Sequence, residues 1–147
     1  PVIERNDTPI RAYLRDTLAH IGKPMIDVRS PEEYSGERTH MPAYPEEGAL
    51  RGGHIPGAAS RPVKENLNDD GTFKAPEVLR AELSKLLGSH PAKDLVASCG
   101  SGVSACHLLL ALELAGMSGG ALYGGSWSEW SSQPNAPTET GPSRVTG

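Results

Sequence analysis

Cysteine is scarce in this chain of 147 residues, which carries only Cys99 and Cys106. Two thiols cannot supply the disulfide framework that holds a small secreted domain together. On one continuous helical segment their separation would put the Cα atoms about 10 Å apart, beyond disulfide reach, so two free thiols are expected. Excess positive charge is lacking as well. Lys and Arg total 14 against 18 Asp and Glu, a net charge of −4, and no basic stripe offers itself to a phosphate backbone, which argues against nucleic acid as a partner. No apolar run approaches the ~20 residues needed to cross a bilayer. The opening Pro1-Val2-Ile3-Glu4-Arg5-Asn6 also lacks the basic-then-apolar order of a secretory signal. These features describe a soluble, cytoplasmic chain without a membrane partner. It has no initiator methionine, as in a processed chain or a piece of a larger protein. The cysteines and histidines show no zinc-ligand spacing, and no three-glycine dinucleotide fingerprint is present, so neither metal nor cofactor is expected.

What is present fits one domain with a proper core. Three segments read as helices. The first runs from an N-cap at Thr8 and Pro9 through Ile10, Leu14, Leu18 and Ile21 to Gly22 and Pro24, with one face on a core. The second opens at Pro76 and closes at Gly88, with Leu79, Leu83, Leu86 and Leu87 as its buried stripe. The third, residues 103–115, carries apolar or small residues on nearly every side, so burial on most of its surface is expected, with Gly116 just past its end. Between them lie short apolar runs at 25–28, 57–60, 95–98 and 121–123. Apolar runs without polar alternation, separated by helices, predict a mainly parallel sheet covered on both faces, the α/β class. Residues 35–53 form a long loop rich in Gly and Pro, more often functional than idle. Residues 1–132 make the domain, and 133–147, rich in Pro, Ser, Thr and Gly, read as a mobile tail.

The chemistry concentrates at residues 95–105, which read as a buried strand, a cysteine, a short loop with two glycines and a buried helix. Cys99 is thereby placed at the C-terminal edge of a parallel sheet and at a helix N-terminus, where open α/β sheets bind ligands. Free N–H groups there favour a thiolate, and positive φ at Gly100 and Gly102 would turn further N–H groups inward as an anion nest. The same nest would hold a persulfide anion, with Gly100, Ser101, Gly102, Val103 and Ser104 as its loop. Cys106 lacks such surroundings and is assigned to core packing. A cysteine phosphatase would need Cys-x5-Arg, but Ala105 stands at the arginine position.

The segment Cys99-Gly100-Ser101-Gly102-Val103-Ser104-Ala105 resembles the active-site loop of the rhodanese superfamily, specifically its 3-mercaptopyruvate sulfurtransferase branch, whose loop reads CGSGVTA. Three further stretches agree: residues 26–34 resemble the DxR strand and turn, Gly53-His54-Ile55-Pro56-Gly57-Ala58 the GHIPGA signature, and residues 123–130 the closing GSWxEW. The resemblance covers residues 8–131 in the family order. It implies a rhodanese-like fold, a central five-stranded mainly parallel sheet flanked by helices on both faces. It also implies a persulfide at Cys99 and a substrate-anion contact from Arg29, which otherwise would pair with Glu32 or Glu33 on the surface. Arg38, His40 and Arg51 are placed to add positive charge near the pocket mouth, and each alone is an ordinary solvated loop residue. His54 reads as structural, and Trp127, Glu129 and Trp130 as packing for one end of the domain.

Two readings of the sulfur donor stay open. Thiosulfate-specific members place an arginine and a lysine directly after the cysteine, where Gly100 and Ser101 stand here, which favours 3-mercaptopyruvate, with the Ser101 hydroxyl either relaying a proton or simply satisfying backbone groups of the nest. Residues 37–42 and 45–51, by contrast, resemble bacterial thiosulfate sulfurtransferases at least as well. Cyanide or a thiol is the expected acceptor. Mercaptopyruvate enzymes are tandem-domain chains, so a second rhodanese-like domain is a possible partner. The alternative is a non-catalytic or poorly active binding or regulatory domain, half of such an enzyme.

Overall fold

A computed structural model describes residues 10–45 and 48–143. In chain order the elements are β1 (Arg11–Ala12), α1 (Leu14–Ala19), β2 (Met25–Asp27), α2 (Pro31–Ser35), β3 (Ala59–Ser60), α3 (Pro76–Leu87), β4 (Val96–Ser98), α4 (Ala105–Leu114), β5 (Ala121–Tyr123) and α5 (Ser126–Ser132), with 3₁₀ turns at Val63–Asn66 and Ala92–Asp94. The five strands form one sheet in the order β1-β5-β4-β2-β3, and every pairing is parallel. The α/β class and the central five-stranded parallel sheet expected from the sequence are therefore what forms.

Alternation along the strands divides the core into two layers. Ile26, Val28, Ala97 and Cys99 point to one face and pack with Leu79, Leu83 and Leu87 of α3 and with Ala105, Leu108, Ala111 and Leu112 of α4. Met25, Val96 and Tyr123 point to the other, where Ile55, Trp127 and Trp130 cover them. Because both faces are buried, the strands carry unbroken apolar runs rather than alternating ones. The central strand β4 has a partner on each side, with Met25 opposite Val96 and Asp27 opposite Ser98.

The α3 helix begins at Pro76, whose missing N–H costs nothing at a first-turn position, and ends at Gly88, as expected. Two other helices differ from expectation. The first predicted helix is split: Arg11 and Ala12 form edge strand β1 beside Leu122 and Tyr123, and the helix proper starts only at Leu14. Tyr13 precedes it, with its N–H bonded to Asp16 Oδ2 at 2.9 Å. Its buried residue is Thr17, whose hydroxyl donates to the Tyr13 carbonyl, while Ile10, Leu18 and Ile21 are exposed. Thr8 and Pro9 lie outside the described residues. The α4 helix is shorter than 103–115 and less enclosed, since Leu110 and Leu114 are exposed. Cys106 is exposed too, which corrects its assignment to the core.

Residues 133–143, read as a mobile tail, run back over the domain. Glu139 forms an antiparallel bridge with His54, its carbonyl accepting the His54 N–H at 2.8 Å and its own N–H donating back at 3.0 Å. Ala136 is buried, and Gly141 N–H donates to the Ser35 carbonyl at 2.8 Å. Gly53, at φ +112°, has no room for a Cβ against the Glu139 carbonyl. Among the described residues no helix is long and apolar enough to cross a membrane.

Candidate active site

The chain leaves the sheet at Cys99, directly beyond the C-terminal end of β4. Cys99 is only 2% exposed, yet it lines a cavity of about 590 Å³. Its Sγ accepts the Gly102 N–H at 3.0 Å. The loop is laced to the start of α5: Cys99 N–H donates to Ser126 Oγ at 3.0 Å, the Cys99 carbonyl accepts Trp127 N–H at 3.0 Å, and the Gly100 carbonyl accepts Ser128 N–H at 2.9 Å. Gly102 takes φ +90°, and a Cβ there would stand 2.5 Å from the Gly124 carbonyl oxygen, so only glycine fits.

Two details of the nest differ from expectation. Gly102 alone of the two glycines has positive φ, and its N–H is the main-chain donor to Sγ among the described residues. The helix begins at Ala105, beyond the intervening loop, so Cys99 meets the loop's amide rather than the first turn of α4. Ser101 and Ser104 do line the cavity, as does Gly100. Val103 does not; its carbonyl accepts the Cys106 N–H to start the helix, and the residue is 75% exposed.

Besides the cysteine, the cavity is lined by residues 28–33, by Arg38, His40 and Met41, and by Pro62, Val63 and Lys64. Ser30 caps the short α2, its Oγ accepting Glu33 N–H at 3.3 Å, and this turn brings Glu32 and Glu33 to the cavity. The rim therefore mixes two carboxylates with the exposed Arg38 and Lys64. Lys64 went unnoticed in the sequence, because a single lysine in a 3₁₀ turn belongs to no motif. The long loop supplies Arg38, His40 and Met41 to the site.

Arg29 lines the cavity but is buried and largely committed. Its Nε lies 3.1 and 3.0 Å from the two oxygens of Asp27, its Nη2 donates to Asp27 Oδ2 at 2.7 Å and to the Gly53 carbonyl at 2.7 Å, and its guanidinium lies 4.9 Å from the Trp127 ring centre. The partner is thus Asp27, two residues back on the same face, and not Glu32 or Glu33. What Arg29 can offer a substrate is chiefly Nη1, and its geometry is first that of a framework ion pair.

Arg51 turns away from the cavity. Its Nε and Nη2 donate to the Ser131, Trp130 and Gln133 carbonyls at 3.0, 3.3 and 2.8 Å, at the C-terminal end of α5 where a cation also faces the negative end of the helix dipole. His54 is structural, as read: Nδ1 sits 2.7 Å from the Tyr34 carbonyl and the ring stacks on Tyr34 at 3.6 Å. Trp127 and Trp130 pack the end of the domain, their indole N–H groups donating to the Arg51 and Pro137 carbonyls at 2.9 and 2.8 Å. Burial, and then donation to Glu129, hold the Tyr123 hydroxyl protonated well above the ordinary tyrosine range. Besides Lys64, sequence reasoning passed over Ser126, noted only as part of a signature.

Residues 11–133 match the family model described as a rhodanese-like domain. Among curated proteins, the chain is 45% identical over 96% of its length to the putative thiosulfate sulfurtransferase SseA of Mycobacterium tuberculosis, covering 47% of that protein. It is 44% identical over 88% of its length to the probable 3-mercaptopyruvate sulfurtransferase of Pseudomonas aeruginosa, covering 43% of it. Among solved structures, the yeast mitochondrial complex I sub-stoichiometric sulfur transferase subunit superposes with a TM-score of 0.73 at 31% identity, over 95% of this chain and 49% of that one. The chain thus spans about half the length of the curated relatives it matches.

Proposed function

Because the chain belongs to the rhodanese-like domain family, we propose that it is a sulfurtransferase in which Cys99 carries a sulfane sulfur as a persulfide. The observation that carries this reading is the Cys99 sulfur at the wall of an open cavity, with the Gly102 N–H aimed at it from 3.0 Å. A main-chain donor in that position is fixed before reaction and stabilises negative charge on sulfur without reorganisation.

In the first half-reaction the Cys99 thiolate attacks the transferable sulfur of the donor and forms an S–S bond. With 3-mercaptopyruvate the carbon–sulfur bond breaks, its electron pair goes to pyruvate enolate, and a proton reaches that carbon from solvent or through the Ser101 hydroxyl at the cavity. With thiosulfate the sulfur–sulfur bond breaks and sulfite leaves. In the second half-reaction cyanide or a thiolate attacks the outer sulfur, the S–S bond breaks, and its electrons return to Cys99. The exposed Arg38 supports binding of an anionic donor, with Nη1 of Arg29 as a second contact.

Gly100 and Ser101 after the cysteine favour mercaptopyruvate, since neither adds a point charge for a dianion. The names of the relatives include both donors, and thiosulfate stays within the proposal. So does a second rhodanese-like domain beside this one, given the greater length of those relatives. A reducing compartment such as the cytoplasm suits a mechanism that needs Cys99 free.

Mass spectrometry tests the reading directly. Incubation with either donor is expected to add about 32 Da, one sulfur atom, at Cys99, and Cys99→Ser to abolish the gain. A protein left unmodified by both donors would instead identify a non-catalytic binding or regulatory domain.

A further inference from the structure

Ser126 is fully buried, and at φ +50° it is the non-glycine residue that occupies the left-handed region among the described residues. That conformation is costly for a side chain with a Cβ and persists only where the surroundings enforce it. Gly124 and Gly125 stand immediately before it and would adopt such a φ without strain. A serine in that seat points to a use for its hydroxyl.

The hydroxyl has three neighbours. Its oxygen accepts the Cys99 N–H at 3.0 Å, its proton donates to the Tyr123 carbonyl at 2.8 Å, and Cys99 Sγ lies 3.9 Å away. One proton thus has two acceptors in reach, a neutral carbonyl and a sulfur that becomes charged. Hydrogen bonds to an ionised acceptor are roughly twice as strong as neutral ones, so charge on sulfur shifts the preference toward Sγ.

We infer that Ser126 is a positioning residue for Cys99: it pins the main chain of the cysteine and swings its hydroxyl proton from the Tyr123 carbonyl to the sulfur when the sulfur is ionised. The charged sulfur then has a side-chain donor in addition to the Gly102 N–H. This inference deepens the sulfurtransferase reading only by taking Cys99 as the reacting group.

Alkylation tests it without any sulfur donor. Iodoacetamide reacts with the thiolate, and its rate at Cys99 can be followed by peptide mass in a Cys106→Ala background, which removes the exposed thiol. Ser126→Ala removes the hydroxyl alone, while Ser126→Gly removes it and relieves the strained φ. Both variants are expected to alkylate about tenfold more slowly at neutral pH, with the rate profile displaced by about one pH unit toward alkaline. Thermal melting run alongside separates packing from chemistry, because a Ser126→Gly protein that melts as the parent does and still shows the displaced profile places the effect at the sulfur. Profiles that coincide with the parent in both variants would overturn the inference. Failure of the parent to gain sulfur from a donor would sink the sulfurtransferase reading and leave this result standing.

Discussion

Asp27 and Arg29 show how an arginine at the cavity wall is at the same time tied into the framework. Successive residues in an extended segment point to opposite faces, so positions two apart share one, and the pair closes at 2.7 Å with both side chains about 95% buried. A buried ion pair stabilises little against an apolar alternative, but removing one member strands the other charge. Asp27→Asn should therefore destabilise the fold by about 3–5 kcal/mol, read by urea denaturation, and should act on activity mainly through folded fraction. Arg38→Ala touches no such pair among the described residues. It should raise KM for an anionic donor on the order of fivefold with kcat nearly unchanged, the signature of lost uniform binding in steady-state kinetics. His107 makes a pH prediction: its Nε2 is buried with no hydrogen-bond partner among the described residues, and its ring stacks on Phe73 at 4.8 Å. Burial pushes its pKa below the usual value of 6.5, against a smaller raising contribution from the Val63 main chain. The unfolded chain then takes up the proton first, so stability contributed by the neutral ring is present above pH about 6.5 and is lost as pH falls toward the lower folded value. Melting temperatures at neutral and mildly acidic pH should diverge less in His107→Phe than in the parent.

At the scale of elements, legibility follows the length of the repeating pattern. Three turns of α3 repeat leucine at helical spacing, and Leu79, Leu83 and Leu87 are buried where that spacing puts them. Leu83→Ala should cost about 2–5 kcal/mol in chemical denaturation, through lost transfer and the cavity left behind. Strand β1 was not legible, because two residues show no period and Arg11–Ala12 is defined only by its pairing with β5. The α1 helix misled for a related reason: Ile10, Leu14, Leu18 and Ile21 have helical spacing, but one of them precedes the strand and the face that packs is marked by Thr17. The segment 133–143 illustrates the limit of composition, since Pro, Ser and Gly are equally at home in a mobile tail and in an extended strap held by main-chain bonds. Deleting residues 134–147 should lower the melting temperature, because His54 and Arg51 lose acceptors at Glu139 and Ala136. A truncated protein that melted like the parent would show that the strap contributes no stability.

Across the whole molecule, the sequence by itself determined the class of fold and singled out the thiol proposed to react. Both are written locally, the first in unbroken apolar strands between amphipathic helices and the second in the Cys99–Ser104 loop, whose glycines and hydroxyls are contiguous. Only the tertiary structure decided which cations face the cavity. Arg38 and Lys64 line it while Arg51 ends up on the carbonyls at the end of α5, some 80 residues along the chain. Tertiary structure likewise set Ser126 against Cys99, 27 residues away. The physical reason is that burial and strand period are properties of neighbours in sequence, whereas a hydrogen bond or ion pair between distant residues exists only after loop closure has brought them together.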